Sequence, residues 1–132
     1  MKALVVEDFK LISKMWVKVL KDLGYEEVEV SEHADEVLEA VSTFHPDLIF
    51  MDINLPGSLN GLDLTEIIRK ENQHTKIIVL SIHTEPSYIE RAFQVGANGY
   101  LTKNSPVSEI KKAIETIMDG GSYRCQEITD TH

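Results

Sequence analysis

The sequence predicts an α/β protein with a doubly wound, five-stranded parallel sheet in the strand order 2-1-3-4-5. Three observations predict this class. Five short apolar segments alternate with segments of helical periodicity, as in parallel sheets covered by helices on both faces. The second apolar segment alternates with charged residues, which is typical of a half-exposed edge strand. The 132 residues, 42% of them hydrophobic, suit one packed domain.

The first half of the chain supplies three strands and two helices. The strands are predicted at Ala3–Val6, Glu27–Val30 and Leu48–Met51. Between them, apolar residues recur at helical spacing. These residues are Leu11, Ile12, Met15, Trp16, Val19, Leu20 and Leu23 in the first helix, and Val37, Leu38 and Val41 on one side of the second, at 34–44. Gly24 and Pro46 end the two helices.

The second half repeats the alternation after a loop at 53–61 that is rich in Pro, Gly and Asn. Strands are predicted at Lys76–Ser81 and Gly99–Thr102. Pro86 suits the first turn of the fourth helix, and Pro106 begins the fifth, which Gly120-Gly121 terminates. The apolar positions are Leu62, Leu64, Ile67 and Ile68 in the third helix, Ile89, Ala92 and Phe93 in the fourth, and Val107, Ile110, Ala113, Ile114 and Ile117, all facing inward, in the fifth.

An edge position for the second strand favours the flavodoxin-like order, with the first and third strands adjacent at the centre. We assign residues 1–121 to the domain. Residues 122–132 show little periodicity and are interpreted as a C-terminal tail or the start of a linker.

Composition excludes several classes of function. The formal net charge of -9 argues against the chain holding DNA by itself or binding an anionic membrane. A lone cysteine, Cys125, excludes a disulfide within the chain. The N-terminus becomes acidic at Glu7, before a signal-peptide core, and no apolar run approaches the ~20 residues of a membrane helix. We therefore expect a soluble, cytoplasmic protein.

Polar side chains follow four of the predicted strands. Glu7-Asp8 follows the first, Asp52 the third, Ser81 ends the fourth and Lys103 follows the fifth. Because parallel strands present their carboxyl ends at one edge, we expect these groups to converge there. Neighbouring carboxylates repel each other unless a cation intervenes.

Magnesium suits that role, since it prefers oxygen ligands from one or two carboxylates, water and phosphate. The predicted ligands are Asp8, Asp52, Glu7 and the backbone carbonyl of Asn54. Asp52 would accept a phosphoryl group as an aspartyl phosphate, while Lys103 and Ser81 contact its oxygens.

This set resembles the receiver domain of two-component response regulators. The matching residues are Glu7-Asp8, Asp52 with Pro56-Gly57, Ser81, and Lys103 preceded by Tyr100. The stretch at 96–103, GANGYLTK, is further similar to the NarL/FixJ subfamily. The resemblance covers about residues 2 to 120.

The resemblance implies a phosphoacceptor that assists its own phosphorylation and dephosphorylation rather than an enzyme. A sensor histidine kinase or phosphotransfer protein would phosphorylate Asp52. Ser81 and Tyr100 match the family's switch positions, which reshape the face of helix 4, strand 5 and helix 5. Asn54 and His83 match positions that tune the lifetime of the phosphate. The family also implies possible homodimers, and a transcriptional output in which DNA is bound only through an output domain that is not present in this chain.

Two departures and two alternatives stay open. The loop at 56–61 is one residue longer than the common form, and the chain ends where NarL/FixJ relatives continue. One alternative is a magnesium-dependent phosphohydrolase of the haloacid-dehalogenase type, although such enzymes carry an acid at the position of Asn54. The other is a receiver-like interaction module that is not phosphorylated.

One surface pattern is left over. Lys10, Lys14, Lys18 and Lys21 form a basic stripe along the first helix. It is either a solvated face or a surface on which the kinase docks.

Overall fold

The computed structural model describes residues 1–124. Its parallel strands and helices alternate along the chain. The strands are β1 (Lys2–Val6), β2 (Glu27–Ser31), β3 (Leu48–Asp52), β4 (Lys76–Ser81), β5 (Gly99–Thr102) and β6 (Tyr123–Arg124). The helices are α1 (Lys10–Asp22), α2 (Ala34–Phe44), α3 (Gly61–Glu71), α4 (Pro86–Gln94) and α5 (Val107–Met118).

The sheet order is β2-β1-β3-β4-β5-β6. The predicted order 2-1-3-4-5 is confirmed, but the prediction of five strands is wrong, because the described residues form six. The additional strand pairs Tyr123 with Gly99 and Arg124 with Tyr100. Two residues are too few to show a strand periodicity, so the sequence alone did not indicate it. Residues 125–132, including Cys125, lie outside the described residues.

Apolar residues fill both faces of the sheet. Alternate residues of β1 point to opposite faces, so Ala3 and Val5 join one cluster and Leu4 and Val6 join the other. The first cluster includes buried residues of α1, α4 and α5, and the second includes those of α2 and α3. The strands that carry the polar site therefore lie between two packed layers.

Four apolar side chains at predicted helical positions are exposed, of which Leu11 and Met15 of α1 are 72% and 44% exposed. Leu38, placed on one side of α2 with Val37 and Val41, is 38% exposed, whereas those two are buried. Val107, predicted to face inward, is 44% exposed. It is the first residue of α5, and spacing alone does not show whether a helix end lies over the core or beyond it.

Arg69 of α3 makes hydrogen bonds to several loop residues at the edge of the sheet opposite the candidate site. Its Nε donates to the carbonyl of Gly96 at 2.7 Å, and its Nη2 donates to Oδ1 of Asn98 at 2.5 Å. Its Nη1 donates to the carbonyls of Asn72 and Thr75. One guanidinium thus joins the end of α3 to the loops that lead into β4 and β5.

Across residues 1–124, every helix is too short or too polar to cross a bilayer.

Candidate functional site

The polar groups predicted from the strand ends meet at one edge of the sheet. β1 pairs with β3 up to Val6 and Met51, so Glu7-Asp8 and Asp52 follow adjacent residues of neighbouring strands. β4 pairs with β5 up to Ser81 and Thr102, which places Lys103 directly after that pair. The parallel register alone therefore brings acids, hydroxyl and lysine together.

Lys103 lies between two buried carboxylates. Its Nζ is 3.0 Å from Oε1 of Glu7 and 3.0 Å from Oδ2 of Asp52. Glu7 is 1% exposed and Asp52 2% exposed. Each acid also accepts a backbone N–H, because Phe9 N donates to Glu7 Oε2 and Asn54 N donates to Asp52 Oδ1, both at 3.2 Å. Both side chains are thus fixed by the backbone as well as by the ammonium group.

The pKa values of this group shift in directions that follow from burial and charge. Burial raises the pKa of Glu7, and the charge of Asp52 raises it further, while the hydrogen bond from Lys103 offsets only part of the increase. Burial lowers the pKa of Lys103, but its hydrogen bonds to Glu7 and Asp52 and their charges outweigh burial and raise it overall. The lysine is therefore positively charged at neutral pH.

Asp8 completes an acidic cluster. One carboxylate oxygen from each of Glu7, Asp8 and Asp52 lies within 4.8 Å of the others, and Asp8 is exposed whereas the other two are buried. Three carboxylates face one ammonium group, so negative charge is in excess. This oxygen-only set, open to solvent on the Asp8 side, fits a hard divalent cation that retains several waters. Asn54 is exposed next to the cluster.

The predicted switch residues form a connected path through the backbone of His83. The N–H of His83 donates to Oγ of Ser81 at 2.9 Å. The hydroxyl of Tyr100 donates to the carbonyl of His83 at 2.8 Å. Ser81 and Tyr100 are both buried, at 1% and 0% exposed. His83 thus links the site hydroxyl to the buried tyrosine of β5.

A close approach of α3 to the site was not predicted from the sequence. A Cβ atom on Gly61 would lie 2.1 Å from the carbonyl oxygen of Asp52 and 3.0 Å from Cα of Ile53. The N–H of Gly61 donates to the carbonyl of Ile53 at 2.9 Å. The absence of a side chain at Gly61 thus lets the first turn of α3 pack directly on the backbone of the acidic residue.

We expect Gly61→Ala to destabilise the fold by about 1–3 kcal/mol, because backbone atoms must move to admit the methyl group. The movement falls on Asp52, so the phosphoryl uptake predicted for this residue should also slow in the folded variant. Denaturant unfolding and phosphoryl uptake measure the two effects. Gly24→Ala is the control away from the site: its φ of +97° strains an alanine there, but no atom lies within 4 Å of its Cβ. Equal phosphoryl uptake in the two variants would contradict the expectation.

Fold and site together define the class of protein: an α/β domain with a lysine-bridged acidic cluster at the switch point of a doubly wound sheet. A family model described as the response regulator receiver domain matches residues 3–115. The chain belongs to this family. Receiver domains of response regulators are signalling domains rather than classical enzymes.

Individual relatives agree with this assignment. The chain is 30% identical over 126 residues to the transcriptional regulatory protein DegU of Brevibacillus brevis, and 30% identical over 126 residues to the response regulator UvrY of Escherichia coli. Each alignment covers 95% of this chain, but 53% of DegU and 57% of UvrY. The chain therefore spans little more than half the length of these curated relatives.

A crystal structure of a LuxR-family two-component response regulator from Aurantimonas sp. superimposes with a TM-score of 0.90 at 28% identity. The superposition covers 98% of this chain and 92% of the other. The solved relative thus extends over the whole of the described fold.

Proposed function

We propose that Asp52 is the phosphoacceptor of this receiver domain and takes its phosphoryl group from a phosphohistidine of a sensor histidine kinase or a phosphotransfer protein. One observation carries the proposal: the buried Asp52 carboxylate lies 3.0 Å from the Lys103 ammonium group, within the Glu7-Asp8-Asp52 cluster. Membership of the receiver family supports it, since receiver domains bind Mg²⁺ at an acidic pocket. The role of each residue is our inference.

In phosphoryl transfer the protein mainly positions the reacting groups and neutralises charge, and it contributes little covalent chemistry. An Asp52 oxygen bonds to phosphorus while the bond from phosphorus to the donor nitrogen breaks, and the donor imidazole keeps the electron pair. Lys103 is placed to neutralise a phosphoryl oxygen, and the Ser81 hydroxyl to donate to another. Glu7, Asp8, Asp52 and the Asn54 carbonyl would hold Mg²⁺, which when bound supplies further charge neutralisation.

The consequence we propose is a change on the α4–β5–α5 face. Ser81 reorients toward the phosphoryl group, and His83 and Tyr100 follow because they are hydrogen-bonded in series. Asn54 and His83 set the lifetime of the phosphate. The relative DegU is named a transcriptional regulatory protein, and we infer by analogy that the signal reaches DNA through an output domain, with homodimers as one route to it.

The test is the intact mass of the protein after incubation with a small acyl phosphate. We expect a gain of one phosphoryl group that requires Mg²⁺ and is abolished by a chelator. Sustained hydrolysis of a phosphomonoester would instead favour the haloacid-dehalogenase alternative. A protein with no mass gain and no hydrolysis would favour the interaction module.

The basic stripe on α1 is suited to docking of the phosphodonor. Lys10, Lys14, Lys18 and Lys21 are all exposed, and the apolar side chains of Leu11 and Met15 between them are 72% and 44% exposed. The helix begins two residues after Asp8. Positive charge around exposed apolar groups, in a chain of net charge -9, favours an acidic partner surface.

Reversing Lys14 and Lys18 to glutamate should therefore slow phosphotransfer from the cognate kinase, with little effect on uptake from the small acyl phosphate. We expect about a tenfold loss, mainly through slower association. The same reversal at Lys111 and Lys112, both exposed on α5, is the control. Equal rates for the two double variants would rule out the docking role.

A further inference from the structure

The side chain of His83 is held by α4. Its imidazole stacks on the ring of Tyr88, with centroids 4.1 Å apart and planes 3° from parallel. Its Nδ1 is 3.6 Å from Oε2 of Glu85. Glu85 is the N-cap residue of α4, yet its side chain makes no capping hydrogen bond. The first turn of α4 therefore contacts the imidazole on its face and at one edge.

The backbone of His83 makes hydrogen bonds to two residues of the candidate site. Its N–H donates to Ser81 Oγ, and its carbonyl accepts from the Tyr100 hydroxyl. The imidazole side chain is 25% exposed, and Tyr88 is 36% exposed. One residue thus joins the hydroxyl beside the phosphoacceptor to an aromatic ring at the surface of α4.

We propose that Tyr88 is a positioning residue whose ring holds the His83 imidazole against α4 and thereby prolongs the life of the phosphoryl group on Asp52. This inference rests on the proposed function and adds a residue that the sequence analysis did not single out. The stack does two things. It fixes the backbone whose N–H orients the Ser81 hydroxyl, and it restrains an imidazole that follows the site by two residues.

The reaction being restrained is hydrolysis. A water oxygen bonds to phosphorus while the bond from phosphorus to the Asp52 oxygen breaks. The carboxylate leaves with the electron pair, inorganic phosphate is released, and an acceptor takes the proton of the water. In this proposal the imidazole freed from Tyr88 takes that proton, since His83 follows Ser81 by two residues and its N–H donates to Ser81 Oγ. While the imidazole of His83 is stacked on Tyr88, it does not accept the proton of the water.

The first experiment follows loss of the phosphoryl group by intact mass, after the donor is removed. Tyr88→Leu should lose it about two- to tenfold faster than the wild type, the range that one aromatic pair can impose on an equilibrium. Tyr88→Phe keeps the ring and should behave as the wild type. In a His83→Leu background, Tyr88→Leu should have no further effect, because the group it releases is gone.

A second measurement needs no phosphoryl group. The amide proton of His83 should exchange faster with solvent in Tyr88→Leu than in the wild type or Tyr88→Phe, since the stack fixes the donor to Ser81. Unchanged exchange, an unchanged or longer phosphate lifetime in Tyr88→Leu, or the same acceleration in the His83→Leu background would each overturn the positioning role. Failure of the wild type to take up a phosphoryl group would contradict the proposed function instead, and the exchange measurement would still decide the role of Tyr88.

Discussion

Replacing Lys103 with methionine is expected to destabilise the fold by about 3 kcal/mol, the low end of the range for removing one partner of a buried ion pair. The substitution keeps most of the apolar stem and leaves Glu7 and Asp52 close together without their ammonium group, which lies 3.0 Å from each in the native fold. Phosphoryl uptake should fall with it. Denaturant unfolding measures the first effect, and intact mass the second.

Added Mg²⁺ should recover part of the lost stability, because an ion that binds the folded cluster and not the unfolded chain favours the folded state. Lys111→Met, on the exposed side of α5, is the control and should change the free energy of unfolding by less than about 0.5 kcal/mol. If the two lysine variants unfold alike, Lys103 does not hold the acidic cluster together.

The stability deficit of Lys103→Met should also narrow as the pH falls. Burial and the charge of Asp52 already raise the pKa of Glu7, and Lys103 makes the largest contribution that lowers it, so removing Lys103 raises this pKa further. A carboxyl group whose pKa is higher in the folded than in the unfolded chain destabilises the fold when it is ionised. This destabilisation is fully present above the raised pKa of Glu7 in the folded chain. It is lost as the pH falls from that value to the pKa of Glu7 in the unfolded chain. A deficit that is constant or grows over this interval would contradict the assignment.

Arg69→Met should cost about 3 kcal/mol, because several part-buried acceptors lose a charged donor at once. The guanidinium donates to the carbonyls of Gly96, Asn72 and Thr75 and to the side chain of Asn98. Thermal or denaturant unfolding measures the loss.

Arg91→Met on the neighbouring helix is the control, since its contact to Glu66 at 3.9 Å is half exposed and worth little. A cost for Arg69→Met no larger than that of Arg91→Met would show that the loops at this edge are held by other contacts.

The fold follows from the sequence because its signals are local. Strand and helix periodicities alternate, and the alternating charges of β2 place it at an edge, which fixes the strand order. β6 escaped prediction because its two residues are held by tertiary contacts: Tyr123 donates to Glu109 of α5 at 3.0 Å, and Arg124 lies over the ring of Phe93 at 4.9 Å. Neither contact leaves a pattern in the sequence.

The composition of the site can also be predicted from the sequence. Residue types at strand ends predict that Glu7, Asp8 and Asp52 come together, and their carboxylates do lie within 4.8 Å of one another. The sequence does not show that Lys103 bridges Glu7 and Asp52, or that Gly61 must lack a side chain. These depend on distances between elements far apart in the chain. The catalytic, switch and metal-binding roles of the site residues stay predictions.

Locating the phosphoryl group by peptide-resolved mass spectrometry tests the central claim most directly, after the acyl phosphate has been reduced to a stable alcohol. The account predicts a single modified residue, Asp52, and no modification anywhere in the Asp52→Asn chain. A modification at Asp8, Glu7 or a residue outside the cluster, or undiminished uptake by Asp52→Asn, would contradict it.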